Sequence, residues 1–319
     1  MRSTISTAER RRKFTTIGAA VLIASSALLM TACNDKETKS GPTTTASAQS
    51  TIGQGQPGAN SGQSTVRTIG KTGWYEGFDI TVHKATVVPD EYGGAKVLID
   101  IAYKNTTPDN KTISNNTYLQ VDKEVDAGAS FDSPTVPGKG SATGKVTTSV
   151  KTLHDAEHLL DTITVIYGQA SDNQTKIPLK ASAQVDGVAP KTLNVTGKLV
   201  QDQTTIEITG ATLTPSYTKN ERDKMDLSLR IKIIGGPGIA AGGLNVFYDY
   251  FTLKAPDGQT ISADIRGPIN ELLNANETID NAKNYVVFVV PSPATGTYVV
   301  TYDANKGEGS APNFSFTIS

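Results

Sequence analysis

From residue 226 to residue 233 every second residue is apolar: Leu227, Leu229, Ile231 and Ile233 alternate with Asp226, Ser228, Arg230 and Lys232. An extended chain sends successive side chains to opposite faces, so this segment has one face to bury and one to wet. The texture recurs. Residues 78–82 and 205–209 alternate strictly. Residues 97–103 and 162–167 are rich in β-branched and aromatic side chains, and 176–179, 298–302 and 314–318 are shorter runs of the same kind. Polar turn-formers such as residues 105–110 separate them. Many short strands at this spacing point to an all-β chain built as β-sandwiches.

The pattern is laid down twice. Residues 80–89 lie over residues 206–215 at a constant offset, with Ala85-Thr86 matching Ala211-Thr212 and Pro89 matching Pro215. Each copy ends in a strand closed by tyrosine, a polar hairpin and a last strand. Two tandem sandwiches, residues 67–187 and 188–319, are therefore expected. Within the second, residues 251–253 and 260–262 read as a hairpin closed by a two-residue Asp257-Gly258 turn. Residues 285–290, continuously apolar, read as a central strand. Cysteine occurs once, so no disulfide forms within the chain. Each sandwich is held by apolar burial, which about 120 residues can supply.

That cysteine, Cys33, lies near the start. Upstream are Arg10-Arg11-Arg12-Lys13, an apolar run over residues 17–30, and then Met30-Thr31-Ala32-Cys33. The run is too short to span a bilayer, which takes about 20 apolar residues. A charged region, an apolar region and a small-residue cleavage site make an export signal over residues 1–32. With cysteine directly after the cut, the segment resembles a bacterial lipobox. The resemblance implies that the Cys33 thiol carries a diacylglycerol and anchors the mature chain to the outer, extracytoplasmic face of the cell membrane. Two acyl chains hold firmly where one holds marginally. Arg11-Arg12-Lys13-Phe14 also resembles the core of a twin-arginine signal, although the rest of that motif is absent. Residues 33–66 read as a disordered tether of Ser, Thr, Gly, Gln and Pro. A flexible coil of about 33 residues has a root-mean-square reach of roughly 30 Å.

The signal takes with it five of 30 basic and one of 31 acidic residues, leaving 25 and 30, a net charge of −5. Nucleic-acid binding needs a clustered basic face and is not expected.

Gly77 to Val82, Ala85, Lys96 to Tyr103 (with Ile99-Asp100-Ile101) and Lys104-Asn105 resemble the telokin-like, immunoglobulin-type domain of exported lipoproteins from Gram-positive bacteria. The resemblance covers about 90 residues of the first copy and reaches the second through the internal repeat. It implies an extracytoplasmic sandwich and carries no catalytic residues.

Four constellations bear on chemistry. His154-Asp155-Ala156-Glu157-His158 fits the H-x-x-E-H pattern of inverted zinc peptidases. Two imidazoles four apart on a helix face suit zinc or copper, with Glu157 as base. Against catalysis, Leu153, Ala156, Leu159 and Leu160 mark a single helical turn plugging a sandwich, and no third, acidic ligand is in sight. His83 reads as a surface residue. The glycine-rich residues 235–243 lack P-loop spacing and read as a mobile loop with an apolar tip at Ile239, suited to recognition. Residues 246–251 read as a strand with aromatics, Tyr248 and Tyr250 among them, on both faces. One face is core, and the other is covered by the first sandwich or by a partner. Asp122, Glu124 and Asp126 alternate along one strand face without a calcium loop, and read as a solvated face.

The expectation is a non-catalytic, membrane-anchored lipoprotein with no cofactor beyond the lipid on Cys33. It presents a surface around Ile239, Tyr248 and Tyr250 to a protein or cell-envelope partner. The alternatives are a metal-binding lipoprotein using His154 and His158, and a carrier of lipid or another small ligand.

Overall fold

Alternation becomes strand and burial together. In the computed structural model, which describes residues 62–113 and 116–319, the 226–233 alternation lies in the strand Lys224–Gly235. Its Leu227, Leu229, Ile231 and Ile233 are buried. Burying each such side chain stabilises by about 1.5–3 kcal/mol. The signal segment, Cys33 and the tether up to residue 61 lie outside the described residues. The first strand, Thr65–Tyr75, begins two residues inside the stretch expected as tether.

The described chain is all-β apart from one helix, Ala156–Thr162, and one 3-10 turn, Tyr248–Tyr250. It builds two separate hydrophobic cores. In the first lobe a five-stranded sheet runs in the order Thr65–Tyr75, Phe78–Pro89, Ala95–Asn105, Ser141–Val150, Ser130–Phe131. A second sheet runs Thr175–Pro178, Ile163–Tyr167, Thr117–Val121, Glu124–Asp126. Ile80, Ile99 and Tyr103 from one sheet meet Leu119, Val165 and Tyr167 from the other in one cluster. In the second lobe Thr204–Pro215 pairs with Lys224–Gly235 and carries Lys191–Leu193 and Gly197–Gln201 on its other edge. The facing sheet runs Thr260–Ser262, Phe251–Lys254, Gly296–Tyr302, Asn313–Ile318.

The two lobes share a register. The pair Thr65↔Val87 recurs as Lys191↔Leu213, and Tyr75↔Phe78 recurs as Gln201↔Thr204, each residue 126 further on. The bulge between Val82 and Lys84 recurs between Ile208 and Gly210. The break in the first strand between Thr68 and Lys71 becomes the gap between Lys191–Leu193 and Gly197–Gln201. The edge turn matches in detail, since Glu76 (φ 46°) and Asp202 (φ 48°) both take the left-handed conformation. Tyr167, opposite Thr117, is matched by Tyr302, opposite Phe251.

Local details correct the sequence reading. Tyr285–Pro291 is not central. It pairs with Lys224–Gly235 on one side and makes only the isolated bridge Asp264↔Val287 on the other. Its second face is buried because the 263–267 loop lies over it, where a Cβ on Gly267 would meet the 285–287 backbone. The hairpin after Phe251–Lys254 turns in three residues, not two. Ala255 N–H donates to Gln259 O at 2.8 Å and Gly258, at φ 88°, donates to Ala255 O at 2.9 Å. Asp122 sits in the turn after Thr117–Val121 at φ 55°, so it shares no strand face with Glu124 and Asp126.

The lobes meet head to tail. The loop 216–224 leaves the Pro215 end of the second lobe's hairpin and lies against the Tyr75 end of the first lobe. Tyr217 enters the first lobe's core cluster, with its ring 4.7 Å from Tyr75 and 5.8 Å from Trp74. Burial pushes its phenol pKa well up, and its hydroxyl lies within hydrogen-bonding reach of the Glu76 backbone and Thr175. Asn173 Nδ2 converges on the carbonyls of Ser216 (2.7 Å), Lys224 (2.7 Å) and Glu221 (3.3 Å), and its Oδ1 accepts from Asp223 N–H at 3.0 Å. From the second lobe Arg266 grips the same loop, pairing with Glu221, Asp226 and Asp264, each at 2.9 Å. Burial raises the Asp226 pKa, whereas the hydrogen bonds from Arg266 lower that of Asp264.

Candidate functional site

Beyond the joint, the opposite end of the second lobe is open. Here Thr204 pairs with Gly235, and residues 235–243 leave the sheet. The sequence reading made this a mobile loop, but backbone contacts dock it. Gly236 N–H donates to Gln203 O at 2.7 Å, Gly238 N–H to Gln203 Oε1 at 2.9 Å, and Gly235 N–H to Glu277 O at 2.8 Å. Glycine is required for the approach, since a Cβ on Gly235 would lie 2.3 Å from Asn274 O. The tip folds inward, and Ile239 packs against the second core.

Tyr248 and Tyr250 do not lie on a continuous strand. Leu244–Phe247 ends, the 3-10 turn Tyr248–Tyr250 follows, and Phe251–Lys254 begins in the other sheet. The aromatics fall on both sides because the chain changes sheets there. Both tyrosines pack, partly buried, on their own lobe's core rather than on the first lobe. The Tyr250 ring lies 5.5 Å from Phe247 and 6.3 Å from Tyr302, with Lys306 Nζ 5.6 Å from its centroid.

Docked loop and 3-10 turn together enclose a pocket of about 290 Å³ lined by Gln201, Thr204, Ile239, Leu244, Tyr250 and Asn305. Two of the sequence-chosen residues, Ile239 and Tyr250, are thus brought together, and Tyr248 stands outside. The floor of the pocket is unusual. Gln201 and Thr204 are only 7% and 1% exposed, yet Gln201 Nε2 makes no hydrogen bond, and the buried Thr204 Oγ1 and the Tyr302 hydroxyl behind it have only each other within reach. Burial pushes the Tyr302 pKa up to about 12. The internal repeat explains the Tyr302 hydroxyl. In the first lobe its counterpart, Tyr167, bonds the Tyr103 hydroxyl at 3.2 Å. Tyr103 sits opposite Ile80, and the residue opposite Ile206 is Ile233, which has no hydroxyl to offer. Leaving a buried polar group unsatisfied costs about 1–3 kcal/mol, and the Gln201 amide nitrogen is such a group at this pole. Sequence reading missed Gln201, Thr204 and Tyr302 because their burial is set by strands distant in the chain.

The H-x-x-E-H segment is spent on structure. Asp155 caps the helix, its Oδ1 accepting from Glu157 N–H at 2.8 Å and His158 N–H at 3.1 Å, so His154 lies outside the helix. Glu157, the would-be base, receives Arg67 Nε at 2.9 Å, and Asp161 receives Arg67 Nη1 at 2.6 Å. Both imidazoles are exposed and line one shallow depression with Leu153 and Leu159. Among the described residues no group of three His, Cys, Asp or Glu is placed to hold a metal. His83 is exposed at the Val82/Lys84 bulge.

No family model matches this chain, and no curated protein does. One solved structure, a conserved domain protein from Bacillus anthracis, is 14% identical over 80% of this chain and 91% of its own, with a TM-score of 0.22. A likeness at that level carries no argument about fold or function.

Proposed function

We propose that this chain is a lipoprotein held at the outer face of the cell membrane by a diacylglycerol on Cys33. Its folded part is two immunoglobulin-like sandwiches in tandem, and it works by binding rather than by catalysis. The observation that carries the binding reading is the pocket at the outer pole of the second lobe, where Ile239, Leu244 and Tyr250 stand among polar side chains and the buried Gln201 Nε2 is left without a partner. Apolar concavities with a few convergent polar groups are where ligands bind. No nucleophile–base pair lines it, so recognition fits it better than turnover. The carrier alternative has less support, because side chains such as Phe78, Tyr103, Phe251 and Phe288 fill the space between the sheets. The metal alternative has two exposed imidazoles and, among the described residues, no third ligand.

Two measurements test this. Cells fed a labelled fatty acid incorporate it into the wild-type chain, and Cys33→Ser abolishes both label and membrane sedimentation. A Cys33→Ser product that still sediments with membranes contradicts the anchor. Photo-cross-linking from position 245, on the pocket wall, yields adducts that Ile239→Ala with Tyr250→Ala removes. Adducts indifferent to the pair contradict the site.

A further inference from the structure

The pole that is open in the second lobe is occupied in the first. At the joint, the closing pair Tyr75↔Phe78 and the left-handed Glu76 turn receive Tyr217. At the outer pole the same positions are Gln201↔Thr204 and Asp202, and they line the pocket. The loop that carries Tyr217 also has a counterpart. It follows Pro215 in the second lobe, and loop 90–94, Asp90-Glu91-Tyr92-Gly93-Gly94, follows Pro89 in the first. Tyr92 is 86% exposed, the most exposed of the large hydrophobic side chains among the described residues.

We propose that the pocket at the outer pole receives loop 90–94 of a second copy of this chain, with Tyr92 entering it. The contact repeats between molecules the joint that Tyr217 makes within one. This inference rests on reading the pole as a binding surface and names its occupant.

Two features support that occupant. The loop is presented rigidly. Asp90 Oδ1 accepts from Tyr92 N–H at 2.9 Å and Gly94 N–H at 2.8 Å, and Leu153 N–H donates to Gly93 O at 2.9 Å. A preorganised loop loses little entropy on docking. The apolar ring of Tyr92 suits the Ile239, Leu244 and Tyr250 side chains that line the pocket. Pocket and loop lie on different lobes, so the contact is heterologous and propagates as an open chain unless the rotation closes a ring.

Sedimentation velocity on the full chain in detergent tests the proposal, using two substitutions at exposed positions. Tyr92→Ala removes the knob, and Ala240→Arg fills the pocket from its rim. Wild type forms a concentration-dependent series beyond the dimer, and each variant alone is monomeric with an unchanged melting temperature. An equal mixture of the two stops at the dimer, since one copy supplies the intact loop and the other the intact pocket. Monomeric wild type up to about 1 mM, the weak end of specific association, overturns the proposal, as do oligomers that survive Tyr92→Ala. If wild type is monomeric while cross-linking from the pocket wall persists and Ala240→Arg abolishes it, the pole remains a binding surface and only its occupant is wrong.

Discussion

The two ends of the repeated hairpin pair teach different lessons from one register. In the first lobe the pole at Tyr75 is closed by four aromatics in tilted and edge-to-face contact, Tyr103, Tyr167, Tyr75 and the visiting Tyr217. In the second lobe the equivalent pole has Ile233 for Tyr103 and Gln201 for Tyr75, and the Tyr302 hydroxyl, with no tyrosine to meet, has only Thr204 Oγ1 in reach. Identical backbone pairing therefore makes a finished joint in one place and an unfinished surface in the other. A few side chains facing the pole decide which.

The largest way to break this comparison is Tyr217→Ala. Removing a large aromatic from a packed site costs about 3 kcal/mol, all of it at the joint. Calorimetry is expected to split a single transition into two, and emission from Trp74, the sole tryptophan, to shift to the red. One unchanged transition would mean the lobes were independent already. Next is Arg266→Met, which leaves Glu221, Asp226 and Asp264 facing one another. Breaking a buried pair costs about 3–5 kcal/mol, and the side chain here is 26% exposed, so about 2 kcal/mol is expected. Because burial holds the Asp226 pKa above its ordinary value, the folded variant takes up that proton readily. The loss therefore shrinks as pH falls towards the carboxylate range, as urea titration at stepped pH would show.

Tyrosine-to-phenylalanine changes sharpen the contrast. Tyr167→Phe deletes the bond to Tyr103 and is expected to cost about 1 kcal/mol, whereas Tyr302→Phe removes a hydroxyl with only Thr204 Oγ1 in reach and is expected to cost less. Equal losses in chemical denaturation would erase the distinction between the poles. The smallest effect is at high pH. The folded Tyr302 pKa, about 12, lies above the ordinary tyrosine value, so burial favours the neutral phenol. Its contribution is complete below about pH 10 and is lost as pH rises through about 12. Tyr302→Phe should flatten that part of the stability curve.

Much of the strand map was legible because alternation is a local signal. Residues 78–82, 97–103, 226–233 and 298–302 fall in strands whose burial alternates with the pattern. The offset between residues 80–89 and 206–215 proved to be a shared register, bulge included. Ser141–Val150 escaped notice because its Ser-Ala-Thr-Gly-Lys start has no apolar alternation, and partners on both sides order it. In the site, Ile239 and Tyr250 stood out as apolar residues beside glycines and aromatics. Gln201, Thr204 and Tyr302 did not, since the burial of a polar atom is a property of packing. Tyr217 and Tyr92 looked like lone aromatics in polar loops. One is half of a joint, and the other sits in the equivalent loop, which has meaning only once the repeat is laid over the structure.

The most direct test is disulfide trapping of the full chain in intact cells, with Tyr92→Cys and Ala240→Cys in the same molecule. The account predicts a ladder of dimers, trimers and longer chains that collapses on reduction and is absent from either single variant. A double variant that stays monomeric under mild oxidation would contradict it.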